Sequence, residues 1–341
     1  MWIKYIAIFI ISLAASVIFT LIVKKAVFYL KIVDIPKIFR KIHKKPTPLL
    51  GGAAIFLSFF SVLYFLQADL ISGNLEIRHW LGFFIGACFL MLGGFLDDKY
   101  NLKPKYQIIW PLLAVGAVIL GGVSIEKITN PFGGFFYLGG LSGLIIAIWL
   151  MGMMYTTKLL DGIDGLVAGV TAIGGLIIFL FTMTTKYYQP DIGLAALVFS
   201  GACLGFLIFN WHPAKIFLGE GGSLLLGYIL GVLAIISGGK IAIALLVMGI
   251  PVLDVLWTII RRLSVGKNPF KFADKKHLHF RFLDLGMGQK KTALIFYVLS
   301  AAFGLSGLFL QSAGKVLALL ILFIIMLLFV IGFSFLDKKK I

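Results

Sequence analysis

Long apolar runs recur along the whole chain, and each is long enough to cross a lipid bilayer as a helix. About 20 apolar residues span the hydrocarbon core, which is about 30 Å thick. These runs make the chain 60% hydrophobic and only 13% charged, whereas soluble domains have about 25% charged residues. Backbone polar groups in lipid must bond within their own segment. The sequence therefore predicts an all-α, polytopic integral membrane protein.

We predict eleven transmembrane helices from these runs. Their approximate bounds are 5–23, 50–70, 80–96, 107–124, 138–155, 163–185, 191–210, 222–238, 240–259, 292–312 and 315–336. Near 123–138 a weak alternation surrounds an Asn-Pro and a Gly-Gly pair, which favours either a small extracytoplasmic β-hairpin or a plain loop. The whole chain, 1–341, is expected to form a single transmembrane domain.

The basic residues predict an orientation for these helices. Of the 31 Lys and Arg residues, 25 lie in loops and a terminus that would share one side of the membrane, and six lie on the other side. Basic loops stay in the cytoplasm, so we expect the amino terminus outside and the carboxy terminus inside. The predicted cytoplasmic loops are 24–49, 97–106, 156–162, 211–221 and 260–291.

The net charge of +17 suits contact with anionic lipid and anionic small molecules. Nucleic acid is not expected as a partner, because the basic residues are divided among short loops between membrane spans.

Acidic residues are concentrated at the predicted inner ends of spans. Five of them occupy such positions: Asp97, Asp98, Asp161, Asp164 and Glu220. An ionised carboxylate there is costly unless it is hydrated, paired or bound to metal. A single acid of this kind is as often a hydrated helix end, but five on one face indicate a site.

The adjacent carboxylates Asp97 and Asp98 repel each other, and a divalent cation would relieve that repulsion. Oxygen ligands suit Mg²⁺, which takes one or two carboxylates plus substrate phosphate; Mn²⁺ is the alternative ion. Asp161 and Asp164 are three residues apart and would share a face of a helical turn. Capping of the next helix is the alternative role for these two.

Two further loops contain groups suited to binding anions. The segment NWHPAKIFLGEGGS (210–223) precedes a new span and is similar to a phosphate-binding helix start. The segment HLHFR (277–281) lies in a dense basic loop and could hold a diphosphate. A solvated basic loop is the alternative for this second segment. Zinc is not expected there, because further ligands are missing.

Five segments occur in a fixed order along the chain. They are RKIHKKPTPLLGG (40–52), FLDDKYNLKPKYQ (95–107), DGIDGL (161–166), NWHPAKIFLGEGGS (210–223) and HLHFR (277–281). Together they resemble the motifs of the polyprenyl-phosphate N-acetylhexosamine-1-phosphate transferases. The histidine segment is more similar to the GlcNAc-1-phosphate branch than to the MurNAc-pentapeptide translocase branch, whose loop has three consecutive histidines.

This resemblance implies a Mg²⁺-dependent enzyme of the cell membrane with a cytoplasmic active site. It would transfer a sugar-1-phosphate from a UDP-sugar to a polyprenyl phosphate, release UMP, and serve cell-wall or surface polysaccharide synthesis. An N-acetylhexosamine is the expected sugar. A homodimer is an open expectation for which the sequence shows no surface.

The resemblance also implies roles for individual residues. The implied catalytic residues are Asp97, Asp98, Asp161, Asp164, Glu220, His277 and His279. The implied metal ligands are Glu220, Asp98 and Asp97. The implied substrate-binding residues are His43, Lys105, Lys158, Asn210, Lys215 and Arg281.

The chain departs from the family pattern at four of its motif positions, one of which is Phe280, where the family has a histidine. Tyr155 and Lys158 stand where the family has two asparagines, and Glu220 stands where it has a metal-binding aspartate. Lys158 would either hold a substrate phosphate, or pair with Glu220 or Asp161 and occupy the site.

Two other functions therefore stay open. One is a non-catalytic relative that binds lipid phosphate or a partner. The other is a transporter of lipid-linked sugar, which would need polar groups near the middle of the bilayer. Asp254, inside the ninth predicted span, is the candidate for such a group.

Overall fold

The computed structural model describes residues 2–30, 32–34, 46–71, 75–130, 133–184, 188–237, 241–266 and 276–338. Within these ranges the protein is predominantly helical. The helices are α1 (Trp2–Leu30), α2 (Gly51–Phe65), α3 (Gln67–Ile71), α4 (Ile77–Tyr100), α5 (Pro104–Gln107), α6 (Ile109–Leu120), α7 (Ser142–Leu160), α8 (Leu166–Thr182), α9 (Pro190–Asn210), α10 (Gly219–Ile236), α11 (Ile241–Val247), α12 (Gly249–Ser264), α13 (Leu278–Asp284), α14 (Gln289–Phe309) and α15 (Ser312–Lys338).

Many of the described helices can cross a membrane. Seven of them, α1, α4, α7, α9, α10, α14 and α15, are long and apolar enough, and the bent pair α11 and α12 could form an eighth span. Three shorter apolar stretches are α2, the run Pro104–Leu120 that contains α5 and α6, and α8. The expectation of a helical, multi-span membrane protein is therefore confirmed.

Several helices extend beyond the apolar runs that predicted them. Helix α1 ends at Leu30 rather than near residue 23, and α4 ends at Tyr100 rather than near residue 96. Charged residues end a lipid-facing segment, but they do not end a helix, because lysine is a good helix former. The predicted loops 24–49 and 97–106 therefore both begin with helical turns.

The predicted span 240–259 is not one continuous helix. It breaks at Met248, and α11 and α12 meet at an angle of 80°. Pro251 has no N–H to donate to the carbonyl of Val247, so a straight helix would lose a hydrogen bond here. Helix α12 then continues to Ser264.

Two short strand pairs accompany the described helices. Strand β1 (Val33–Asp34) pairs antiparallel with β2 (Thr47–Pro48), which joins the two described ends of the first predicted loop. Strand β3 (Lys127–Thr129) pairs antiparallel with β4 (Phe135–Tyr137). This second pair lies in the segment for which the sequence favoured a hairpin or a loop.

Helix α10 is the most buried of the candidate spans, with 89% of its apolar window inside the protein. Its first turn approaches two neighbours through glycine pairs. A Cβ atom on Gly52 of α2 would collide with Gly222, and one on Gly94 of α4 would collide with Gly221. Small residues allow such close backbone packing between helices in membranes. The start of α10 is thereby fixed between α2 and α4.

We expect Gly94→Ala to destabilise the protein by about 1–3 kcal/mol, because the new methyl group meets backbone atoms that cannot rotate away. The measurement is the midpoint of thermal unfolding in detergent. Gly152→Ala in α7 is the matched control, since a Cβ atom there has nothing within 4 Å. Equal midpoints for the two variants would contradict this account of the packing.

Candidate active site

Four carboxylates come together where three helices end. Asp97 and Asp98 are in the last turn of α4, Asp161 directly follows α7, and Glu220 is in the first turn of α10. The Asp98 carboxylate interacts electrostatically with those of Glu220, Asp97 and Asp161. We call these four residues the carboxylate cluster. They come from segments far apart in sequence, as the motif positions led us to expect.

The contact between Asp98 and the start of α10 organises the cluster. The backbone N–H of Glu220 donates to Asp98 Oδ1 at 3.1 Å. Gly219 has a φ of +76°, and a Cβ atom there would collide with Asp98 Oδ2. Glycine is required at this position both by its backbone conformation and by the space that Asp98 occupies. Among the described residues, the buried Asp98 Oδ2 has no hydrogen-bond partner.

Asp161 has a strongly perturbed environment. Its side chain is accessible to water, yet protein atoms crowd its carboxylate and remove part of its hydration. This desolvation, followed by the charges of Glu220 and Asp164, raises the pKa of Asp161 to about 7. The negative charges near Asp161 are thus not fully balanced by positive groups around them, which favours binding of a cation.

Lys158 supplies one internal positive charge. Its ammonium nitrogen lies 2.8 Å from Glu220 Oε2, which is one of the alternatives that the sequence left open. The same ammonium donates to Gln107 Oε1 at 3.3 Å. Gln107 in turn donates through Nε2 to Asp97 Oδ1 at 3.1 Å. A continuous polar chain therefore connects Asp97 to Glu220.

Asp97 has a positioning role in the structure. Its buried Oδ1 accepts hydrogen bonds from the Leu102 N–H at 2.8 Å and from Gln107. These bonds hold the turn that follows α4, where Asn101 has a positive φ of 51°. Asp97 therefore fixes the geometry around Asp98, whose Oδ2 stays available to a ligand.

Asp164 joins the DGIDGL turn to the NWHPAK segment. Its Oδ2 accepts from the Ala214 N–H at 3.0 Å and lies 2.6 Å from His212 Nδ1. Asp161 and Asp164 thus differ in role, because Asp161 belongs to the carboxylate cluster while Asp164 ties two motifs together.

Asn210 makes a second connection between the same two motifs. Its Oδ1 accepts from the Gly165 N–H at 3.0 Å, and its Nδ2 donates to the Ile216 carbonyl at 2.9 Å. The side chain is buried, and both of its polar ends bond to backbone. The structure shows that Asn210, which we predicted to bind substrate, holds these two loops together.

Helix α14 supports the DGIDGL turn from the other side. The Gln289 Oε1 accepts from the Asp164 N–H at 3.0 Å, and the Tyr297 hydroxyl donates to the Gly165 carbonyl at 2.5 Å. Neither Gln289 nor Tyr297 was selected from the sequence.

Asp254 anchors the histidine motif. Its Oδ2 lies 2.8 Å from His277 Nδ1, and its Oδ1 accepts from the Leu278 N–H at 2.9 Å. His277 and Asp254 are both buried. A carboxylate on Nδ1 fixes the orientation of an imidazole ring and the tautomer it adopts. Asp254 therefore orients His277, and the sequence signal that could have shown this was an isolated acid inside an apolar run.

His279 packs against the DGIDGL turn. Its ring stacks on His277 at 5.8 Å, and a Cβ atom on Gly162 would collide with its Nε2. Burial, helped by His277, lowers the pKa of His279 to about 3. His279 is therefore neutral at physiological pH and acts through packing or hydrogen bonding rather than as a cation.

The remaining predicted substrate-binding residues are exposed, half-buried or outside the described ranges. Lys105 and Lys215 are exposed, and the Lys105 ammonium lies 4.8 Å from the centre of the Tyr106 ring. The Arg281 guanidinium lies 5.7 Å from the centre of the Phe333 ring. His43 lies outside the described residues.

The donor set suits a hard divalent cation that substrate helps to hold. In the described part of the chain, no group of three or more His, Cys, Asp or Glu side chains is arranged to hold a metal ion. Mg²⁺, however, needs only one or two protein carboxylates when phosphate and water complete its shell. Asp98, with its unpartnered oxygen, and Glu220 meet that requirement.

The comparisons with known proteins identify the family. The family model for glycosyl transferase family 4 matches residues 80–238, a range that contains the whole carboxylate cluster. A probable undecaprenyl-phosphate N-acetylglucosaminyl 1-phosphate transferase of Bacillus subtilis is 32% identical over 332 residues, which are 95% of this chain and 90% of that protein. The chain belongs to glycosyl transferase family 4.

Two more relatives place this family 4 chain among lipid-phosphate sugar transferases. An undecaprenyl-phosphate alpha-N-acetylglucosaminyl 1-phosphate transferase of Thermotoga maritima is 33% identical over 271 residues, 79% of each chain. A phospho-N-acetylmuramoyl-pentapeptide-transferase of Halalkalibacterium halodurans is 31% identical over 294 residues, 80% of this chain and 86% of that protein. The family resemblance seen in the motifs is confirmed.

We expect Asn210→Leu to lower the free energy of unfolding by about 1–3 kcal/mol, because it leaves the buried Gly165 N–H and Ile216 carbonyl unpaired. Thermal unfolding in detergent measures this loss. Lys215→Leu, five residues away at an exposed position, is the control for a new apolar side chain. An Asn210→Leu variant as stable as the wild type would contradict the bridging role.

Proposed function

We propose that this protein transfers a sugar-1-phosphate from a UDP-sugar to a polyprenyl phosphate, giving polyprenyl-diphosphate-sugar and UMP for cell-wall or surface polysaccharide synthesis. The sugar is an N-acetylhexosamine, as in the names of the relatives. The observation that carries the proposal is the carboxylate cluster, in which the buried Asp98 Oδ2 has no partner among the described residues.

The proposed site faces the cytoplasm, and eleven spans cross the membrane. The seven long helices, the bent pair α11 and α12 taken as one span, and the three shorter apolar stretches would together supply that number. The distribution of lysine and arginine, 25 on one side and six on the other, supports the orientation. A Lys4–Asp69 ion pair of 2.7 Å joins the start of α1 to α3, which agrees with placing both on the side opposite the cluster.

The reaction brings two anions together. An oxygen of the polyprenyl phosphate attacks the phosphorus that bears the sugar, a new P–O bond forms, and the bond to the UMP oxygen breaks. The attacking phosphate is already ionised near neutral pH and needs no general base. Catalysis therefore depends on positioning and on neutralising negative charge.

Several groups of the chain would neutralise the charge of the phosphates. Mg²⁺, or Mn²⁺ in its place, would be held by Glu220 and Asp98 and would supply the divalent charge that offsets the diphosphate. Asp97 holds the turn beside Asp98. His277, oriented by Asp254, donates a hydrogen bond, and Arg281 and Lys215 add positive charge.

We predict that the purified protein releases UMP from UDP-GlcNAc in the presence of Mg²⁺ and undecaprenyl phosphate. Asp98→Asn and Glu220→Gln should each lower this rate on the order of 10²-fold. Each variant removes a carboxylate charge that would hold the divalent ion, and that ion would offset the charge of the diphosphate. Glu126→Gln is the matched control, since Glu126 is exposed and lies next to β3. Activity within about threefold of wild type in both site variants, roughly 0.7 kcal/mol, would sink the proposed site.

The same assay separates the two other functions. A non-catalytic relative would give no UMP with any UDP-sugar, and Glu220→Asp would not restore turnover. A transporter would move a labelled lipid-linked sugar across vesicles without releasing UMP.

A further inference from the structure

Lys158 is the cation that pairs with the carboxylate cluster among the described residues. Its ammonium lies 2.8 Å from Glu220 Oε2, and its side chain is only 19% exposed. The Glu220 side chain is 36% exposed, and a partly buried ion pair of this kind is screened less by salt than a fully exposed one. The ammonium therefore balances part of the negative charge of the carboxylate cluster, which a bound metal ion would also balance.

Gln107 holds this lysine in place. Its Nε2 donates both to Asp97 Oδ1 and to the Leu102 carbonyl, at 3.1 and 3.0 Å. The donors of the amide are thereby used, so its oxygen must point at an external donor, which is the Lys158 ammonium at 3.3 Å. The lysine position is thus built into the polar chain that starts at Asp97.

A divalent ion and the Lys158 ammonium would compete for the same carboxylate oxygen, Glu220 Oε2. Mg²⁺ sits about 2.0–2.1 Å from a carboxylate oxygen. An ammonium held 2.8 Å from that oxygen would then be close to a doubly charged ion, and the two cations repel. Binding of a divalent ion at Glu220 Oε2 is therefore favoured when Lys158 leaves that oxygen.

A displaced Lys158 has a new partner within reach. Its ammonium ends a flexible four-carbon stem and carries three donors, and the diphosphate of a bound nucleotide sugar would lie against the same ion.

We propose that Lys158 is an exchangeable cation: it neutralises Glu220 before a divalent ion binds, and it contacts the substrate diphosphate afterwards. The second half of this statement rests on the proposed function, whereas the first half concerns the metal alone.

Mn²⁺ binding without substrate tests the first half. Electron paramagnetic resonance on the full chain in detergent at pH 8 gives the dissociation constant for wild type, Lys158→Met, Lys158→Gln and Lys158→Arg. Both uncharged variants should bind Mn²⁺ at least about threefold more tightly, about 0.7 kcal/mol, and Lys158→Arg should stay within about twofold of wild type. Lys103→Met, which removes an exposed charge from the loop after α4, should change nothing.

Two uncharged variants keep this test valid if one of them fails to fold. Wild-type affinity for Mn²⁺ in whichever uncharged variant folds would overturn the competition between Lys158 and the metal.

Kinetics at saturating Mg²⁺ test the second half. Lys158→Met should raise the KM for UDP-GlcNAc at least about threefold, while Lys158→Arg should keep it near the wild-type value. Tighter Mn²⁺ binding with an unchanged or lower KM would overturn the contact with the diphosphate and leave Lys158 as a plain obstruction. If the wild type releases no UMP, the proposed function fails, but the Mn²⁺ series still decides the competition.

Discussion

Close backbone approach at the start of α10 is the contact on which the site depends. Gly221 and Gly222 have no side chains, so this turn lies directly against Gly94 of α4 and Gly52 of α2. The approach brings the Glu220 N–H to 3.1 Å from Asp98, and it leaves the carboxylates of α4, α7 and α10 in one place. Burial of apolar surface cannot select so short a distance between helices in lipid; the absence of side chains allows it.

Around that contact, the motifs form hydrogen bonds with one another. Backbone N–H groups of Gly51 and Gly52 donate to the carbonyls of Phe217 and Leu218 at 2.8 and 2.9 Å, Asn210 ties down Gly165, and Asp254 ties down the histidine segment. These bonds leave few free polar groups in the scaffold. Among the described residues, buried polar side-chain atoms without a hydrogen-bond partner occur in the carboxylate cluster and at His279, and also at Trp80, Gln189 and Thr292. Those in the cluster are what a site needs in order to bind a charged ligand.

Much of this could be predicted from the sequence, for physical reasons that differ from element to element. Apolar runs predict helices because backbone polar groups in lipid must bond within their own segment. Acidic residues at the ends of such runs indicate where a site lies. The partner of Lys158 could not be chosen in advance, because Glu220 and Asp161 were equally acceptable anions and only folding brings one of them to 2.8 Å. The role of Gln107 could not be predicted, since a neutral amide at the start of the predicted span 107–124 fits many roles. The sequence predicted one span over 240–259 but not the 80° bend within it, although Pro251 lies beside that bend.

The DGIDGL turn has a consequence for how the protein is made. Gln289 and Tyr297 hold this turn, and Asp254 holds the histidine segment. All three residues lie in the last third of the chain. A ribosome therefore delivers the acidic groups to the membrane well before the braces that set their geometry. The nascent protein can insert most of its helices before α14 arrives, so the DGIDGL turn gains its two hydrogen bonds to α14 only late in biogenesis.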